Sequence, residues 1–184
     1  SNPESVEQHQ NTLNNGTITV LSYDDTGLKN YVGYTFQGWA TTANGTVAFA
    51  AGDPARVNNQ ETNDLYAVWT PSKDTKYKVE HYGQNISGND FTILETENLS
   101  GTTGTTATAT AKTYPGFKFD KDNANNVPSG TIAADGSLVL RLYYIRNTYT
   151  VTYDRGLQGH FESDSNAAQI VRKGLKYGSA TPYY

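Results

Sequence analysis

The sequence predicts a β-rich chain of small modules in tandem. Three observations carry that expectation. Thr and Tyr are abundant, and both favour strands, while the many Asn and Gly residues favour turns. Period-two alternation recurs in short runs bounded by turn residues, the pattern of half-buried strands. Similar strand and aromatic signals then return at intervals of roughly 60–70 residues, longer than the 20–50 of solenoid repeats. Modules of that size bury only about 60% of their unfolded surface and lean on their neighbours.

Taken in order, residues 1–15 are polar and aperiodic and read as a disordered lead, with Ser1-Asn2 resembling a protease scar. Thr17 to Leu21 is a short strand, followed by the turn-prone Asp24-Asp25-Thr26-Gly27. Gly33-Tyr34-Thr35-Phe36-Gln37-Gly38-Trp39 is an aromatic corner whose Tyr34, Phe36 and Trp39 are core candidates. Asn44-Gly45 is a hairpin dipeptide and Ala51 to Pro54 a break. Leu65 to Trp69 closes the first module, 16–71, with Leu65, Ala67 and Trp69 on one face. Pro71 to Asp74 reads as a short, semi-rigid linker.

A second module, 76–147, opens with the strand Tyr77 to Tyr82 and returns through Phe91 to Glu97. The Thr/Gly/Ala tract from Gly101 to Thr110 suits either an exposed strand or one turn of weak helix, and propensity does not choose between them. Pro115-Gly116-Phe117-Lys118-Phe119 is a second aromatic corner. Ser129 to Ala133 is expected to form a hairpin with the next strand across Ala134-Asp135-Gly136. That next strand places Leu138, Leu140, Leu142 and Tyr144 on one face. It runs, without Gly or Pro, into a third alternation at Tyr149, Val151 and Tyr153. Residues 148–184 read as the opening hairpin of a third module whose remainder lies beyond Tyr184, joined through a link of only Ile145 to Thr148.

These residues carry a resemblance. Gly33 to Trp39 with Leu65 to Trp69 resembles the Listeria–Bacteroides, or internalin-B-type, repeat, and Tyr149 to Asp154 through Lys176-Tyr177-Gly178 is similar to the opening of another copy. Tyr77 to Tyr82 through Leu142-Tyr143-Tyr144 resembles the mucin-binding-protein-like repeat. The resemblance implies tandem β-grasp (ubiquitin-like) modules, hence a β-rich α+β fold. It also implies a Gram-positive, cell-wall or cell-surface location outside the cell and a role as stalk or adhesin. The first module departs from the family pattern, because Asp24 to Lys29 stands where a longer Gly-rich loop and second strand usually lie.

Composition and motifs narrow the function. A net charge of -4 provides no basic stripe for nucleic acid. No apolar run approaches the roughly 20 residues of a membrane span. Absence of cysteine removes thiol nucleophiles and thiolate metal sites and leaves the compartment open. No Gly-x-Ser-x-Gly elbow is present. The three histidines, His9, His81 and His160, fall in the lead, a strand and a loop, and His81 reads as a surface or strand-packing residue rather than a ligand-facing one.

The loop Asp120 to Asn126 has oxygen side chains at alternate positions, but an EF-type loop needs an oxygen where Ala124 stands, then Gly, then a bidentate Glu. It reads as a solvated turn, and Asp24-Asp25 near Asp53 or Asp64 is weaker still as a metal site. Lys78 and Asn147 are the pair to examine for a Lys–Asn isopeptide bond, which also needs a buried carboxyl. Tyr66, Tyr82, Tyr143 and Tyr153 could face outwards and stack on sugars, whereas Trp39 and Trp69 belong in a core.

The expectation is therefore a non-enzymatic stalk or spacer and adhesion region, with no catalytic, metal or cofactor residues. Its partners would be neighbouring repeats and a host glycoprotein or glycan. The alternative is a lectin-like, mucin-binding module that uses exposed tyrosines.

Overall fold

The computed structural model describes residues 16–56, 64–163 and 165–180. The described residues form strands, turns and a single 3-10 turn, Asp24–Thr26, with no α-helix. This overturns the expected α+β grasp: the protein is nearly all β. The physical reason is visible where a helix would have had to form. The Gly101 to Thr110 tract, poor in strong helix formers, contains the strand β7 (Thr106–Thr108), which buries Ala107 and pairs with β9 (Ser129–Thr131). Thr105 Oγ1 donates to the Thr102 carbonyl at 2.7 Å, a local bond that competes with helix.

The chain divides into two compact units, each discontinuous in sequence. One is drawn from Ser1–Tyr77, Ser100–Thr106 and Thr131–Leu138, the other from Lys78–Leu99, Ala107–Gly130 and Val139–Tyr184.

In the first unit, β1 (Thr17–Thr19) pairs antiparallel with β3 (Pro54–Arg56), and β2 (Tyr34–Ala40) with β4 (Tyr66–Pro71). Pro54, expected to break the chain, instead opens β3, a position where a missing N–H costs least. A bulge between Phe36 and Gly38 shifts the register of β2 by one residue. Strict alternation would point Phe36 and Trp39 to opposite faces; the bulge brings both to the core. That core is Val20, Tyr23, Trp39 and Ala55, with Phe36, Leu65, Ala67 and Trp69 packed against it.

The second unit is built on a four-stranded sheet. β5 (Thr75–Gln84) lies between β6 (Phe91–Gly101) and β10 (Val139–Arg146), and β8 (Phe117–Phe119) completes the order β6-β5-β10-β8. β10 runs parallel to β5, from Val139 opposite Lys78 to Tyr144 opposite Gly83, and antiparallel to β8. Alternation places Val79, His81, Leu140, Leu142 and Tyr144 on one face, all essentially inaccessible to water. The expected hairpin of Ser129 to Ala133 with β10 does not form. β5 takes one edge of β10, and β8 together with the Val127–Arg141 bridge takes the other, so β9 pairs with β7 instead.

β11 (Thr148–Asp154) and β12 (Gln169–Lys176) form an antiparallel hairpin. The expected link of Ile145 to Thr148 is absent as a linker, because β10 ends at Arg146 and β11 begins at Thr148. Asn147 alone separates them, its N–H donating to Gly116 O and its carbonyl accepting from Tyr177 N. Arg146 fastens the same point: Nε donates to Gln84 O and Nη1 to Tyr177 O, both at 2.7 Å, and the guanidinium lies 4.7 Å from the centre of the Phe117 ring.

The two aromatic corners share one turn. Tyr34 N donates to Tyr31 O, and Phe117 N to Tyr114 O, with Gly33 (φ 76°) and Gly116 (φ 78°) third in each turn. A positive φ at that position, with the i to i+3 bond, is the type II arrangement. A Cβ on Gly33 would come within 2.6 Å of Ala134, and one on Gly116 would collide with the Tyr177 ring. Glycine is required twice over at both corners.

Candidate functional site

Each unit holds one concentration of functional side chains. In the first, an open cleft of about 540 Å³ lies among Tyr23, Tyr31, Tyr34, Phe36 and Trp69, with Ser22, Asp24, Asn30 and Thr35 also lining it. The type II turn at Gly33 folds Tyr31 back over Tyr34, and the two rings stack at 4.2 Å between centroids and 12° between planes. Tyr31 also meets Trp69 edge to face at 5.9 Å, and Trp69 meets Tyr23 in the same way at 4.7 Å. Such geometry follows from ring quadrupoles and adds about 0.5–1.5 kcal/mol per pair beyond area burial.

The remaining polar atoms of the core are accounted for. Tyr23 Oη donates to Lys29 O at 2.6 Å, Trp39 Nε1 donates to Leu21 O at 2.9 Å, and burial pushes the Tyr23 hydroxyl pKa up. Trp69 Nε1 is different: it is buried with no hydrogen-bond partner among the described residues.

In the second unit, His81 and Tyr144 project from β5 and β10 to the buried face, and meet Glu95 and Glu97 from β6 with Lys112 and Tyr114 beyond it. Lys112 N donates to Tyr144 Oη at 2.9 Å, Tyr144 Oη lies 2.9 Å from His81 Nδ1, and His81 Nε2 lies 2.8 Å from Glu97 Oε1. Lys112 Nζ bridges Glu95 at 2.6 Å and Glu97 at 2.8 Å, and Tyr114 Oη donates to Glu95 at 2.8 Å.

Proton directions are fixed by what each atom can do. Glu97 as a carboxylate only accepts, so His81 Nε2 carries a proton. Tyr144 Oη already receives Lys112 N–H, and with His81 neutral its own proton goes to Nδ1. A neutral histidine satisfies every member of this circuit. The Lys112 ammonium holds both carboxyls below the usual glutamate range, with His81 assisting at Glu97 and Tyr114 at Glu95. The two carboxylates hold the Lys112 ammonium above its ordinary value. Burial first, and then the Glu95 carboxylate, push Tyr114 up. The arrangement locks β6 and the residues around Lys112 onto the sheet.

The residues singled out from sequence are dispersed. His9 lies outside the described residues. His81 packs within the sheet, and His160 is exposed in the loop after β11. The oxygens of the 120–126 loop bond within the turn and to β10: Asp120 Oδ2 accepts from Asn123, while Asn126 donates to Asp120 O and accepts from Tyr143 N of β10. Asp53 Oδ2 accepts from Ala50 N, and Asp25 from Ser22. Lys78 lies opposite Val139, at the far end of β10 from Asn147, so the two do not meet.

Tyr82 and Tyr143 stack at 4.8 Å on the sheet's other face, with Phe91 edge-on at 5.1 Å. They are half-buried, as are Tyr66 and Tyr153. Trp39 is buried as expected, and Trp69 is only partly so.

Tyr31, Glu95, Glu97 and Lys112 escaped the sequence reading. Tyr31 and Tyr114 had a usable signal, since Tyr31-Val32-Gly33-Tyr34 and Tyr114-Pro115-Gly116-Phe117 share one spacing. The Glu–Lys cluster had none, because Lys112 reaches Glu95 and Glu97 of β6 from the irregular segment after β7, a contact made only in the folded chain. Comparison with known proteins finds no matching family model, no matching curated protein and no matching solved structure.

Proposed function

We propose that this chain is a non-enzymatic, load-bearing region of a bacterial cell-surface protein, a spacer that presents adhesive parts away from the wall. The observation that carries the reading is the parallel pairing of β5 with β10. β5 is the first strand of its sheet and β10 the last, and they lie side by side. A pull transmitted along the chain draws the start of β5 and the end of β10 in opposite directions along the strand axis. The evenly spaced bonds of a parallel ladder are then loaded together, in shear. The hairpin β11–β12 is loaded otherwise: Thr148 opposes Lys176 at its open end, so a pull opens it one pair at a time. Arg146 and Asn147 hold that open end to the sheet. The resemblance of the aromatic corners and closing strands to surface-protein repeats supports the same reading.

Single-molecule force spectroscopy on the full chain, pulled by its ends, tests it. The hairpin should open first at low force. A separate, higher-force rupture should follow, with a contour gain equal to the roughly 240–260 Å extended length of Thr75 to Arg146 less the one strand length, about 33 Å, that separates these ends in the fold. A sheet that ruptures at the hairpin's force would refute the load-bearing role.

A further inference from the structure

We propose that the aromatic cleft of the first unit is a saccharide-binding site in which a pyranose ring stacks on Tyr31. Three features of the cleft select this ligand. The first is a free ring face at its mouth. Tyr31 is 44% exposed although its ring is stacked on Tyr34, so the core takes one face of Tyr31 and leaves the other outward. The second is shape: Tyr31, backed by Tyr34, offers one flat ring face, while Trp69 meets it edge-on and does not add a second facing ring. A platform suits the flat C–H face of a sugar ring, while a quaternary ammonium is best held where several ring faces surround it.

The third feature is polarity at the cleft wall. Asp24 and Asn30 are exposed there, and their side chains have no hydrogen-bond partner among the described residues. Carboxylate oxygens accept from sugar hydroxyls, and an amide both donates and accepts. Apolar rings with a few polar groups, in a volume of about 540 Å³, match the size and lining of small-molecule sites. The site is independent of the spacer role, which rests on the other unit.

The test uses the whole chain and soluble probes: lactose, sialyllactose and the β1,4-linked trimer of N-acetylglucosamine, with tetramethylammonium as a cation control. Both tryptophans lie in the first unit and Trp69 lines the cleft, so tryptophan fluorescence reports binding directly. At least one saccharide should give a saturable change, with sugar ring protons receiving saturation transfer from aromatic protons in NMR. Tyr31→Ala should weaken that binding roughly tenfold, Tyr31→Phe should retain it, and Asn30→Ala should weaken it less. Tyr31 is 44% exposed, so the Tyr31→Ala chain keeps its fold, checked by an unchanged far-UV spectrum and a still cooperative tryptophan unfolding transition, whose midpoint falls with the loss of the Tyr34 and Trp69 ring contacts. No saturable change with any of the saccharides, binding untouched by Tyr31→Ala, or displacement of the sugar by tetramethylammonium would each overturn the proposal.

Discussion

Tyr144→Phe isolates the circuit that joins β10, β5 and β6, because it removes one oxygen and keeps the ring. That oxygen makes two bonds, accepting from Lys112 N and donating to His81 Nδ1, each at 2.9 Å. His81 is 0% exposed, so no bulk water replaces the lost partner. A buried acceptor left unsatisfied costs about 1–3 kcal/mol, and the Lys112 N–H, only half-buried, adds less. A loss of about 2 kcal/mol with a urea slope near 2 kcal/mol/M moves the midpoint of the second unit down by about 1 M. Far-UV circular dichroism follows the whole chain, and tryptophan fluorescence, confined to the first unit, supplies an internal reference that should not move.

The companion variant His81→Leu leaves the Tyr144 proton without its acceptor. Combining the two removes both partners, and exchange of a paired couple for apolar groups is nearly neutral for the couple itself. The double variant should therefore be less destabilised than the sum, by about 0.5–3 kcal/mol. A Tyr144→Phe midpoint shift below about 0.25 M, or strict additivity in the cycle, would refute the circuit.

Two further outcomes follow from the same geometry. Glu95 and Glu97 have lowered folded pKa values, so their contribution is present above the unfolded carboxyl range near pH 4.3 and is lost as pH falls through the folded values. The second unit should lose urea resistance on acidification below about pH 4.5, and Lys112→Met should flatten that dependence; an unchanged slope would show that the cluster contributes nothing. Gly116→Ala should destabilise the second unit by at least about 1–3 kcal/mol from backbone strain alone, with the Tyr177 clash in addition. Hydrogen exchange should then show the hairpin around Tyr177 loosened, whereas an unperturbed pattern would mean that the turn tolerates a side chain.

Local pattern carried the strands and turns of this chain. Leu140, Leu142 and Tyr144 point to the core because a strand has period two, and Gly33 and Gly116 mark turns that no L-residue fits comfortably. Local pattern could not choose partners. Whether β10 pairs with β5, β8 or β9 depends on which ladders compete for its two edges, a contest decided by residues far apart in sequence.

The same limit applied to Trp39, whose side of the strand is set by a one-residue bulge. It applied also to the Thr/Gly/Ala tract, where neither strand nor helix was favoured until Ala107 found a buried place beside β9. The circuit of Glu97, His81, Tyr144 and Lys112 existed in the sequence only as unremarkable residues on three separate strands and one irregular segment. Tyr31 had a sequence signal, the glycine turn it shares with Tyr114, but its open ring face is a property of the packed unit. The sequence by itself determined which residues could be buried and where the chain could turn, because both follow from side-chain chemistry and backbone sterics over a few residues. Which edges met, and which rings were left facing water, followed only from burying all of those faces at once.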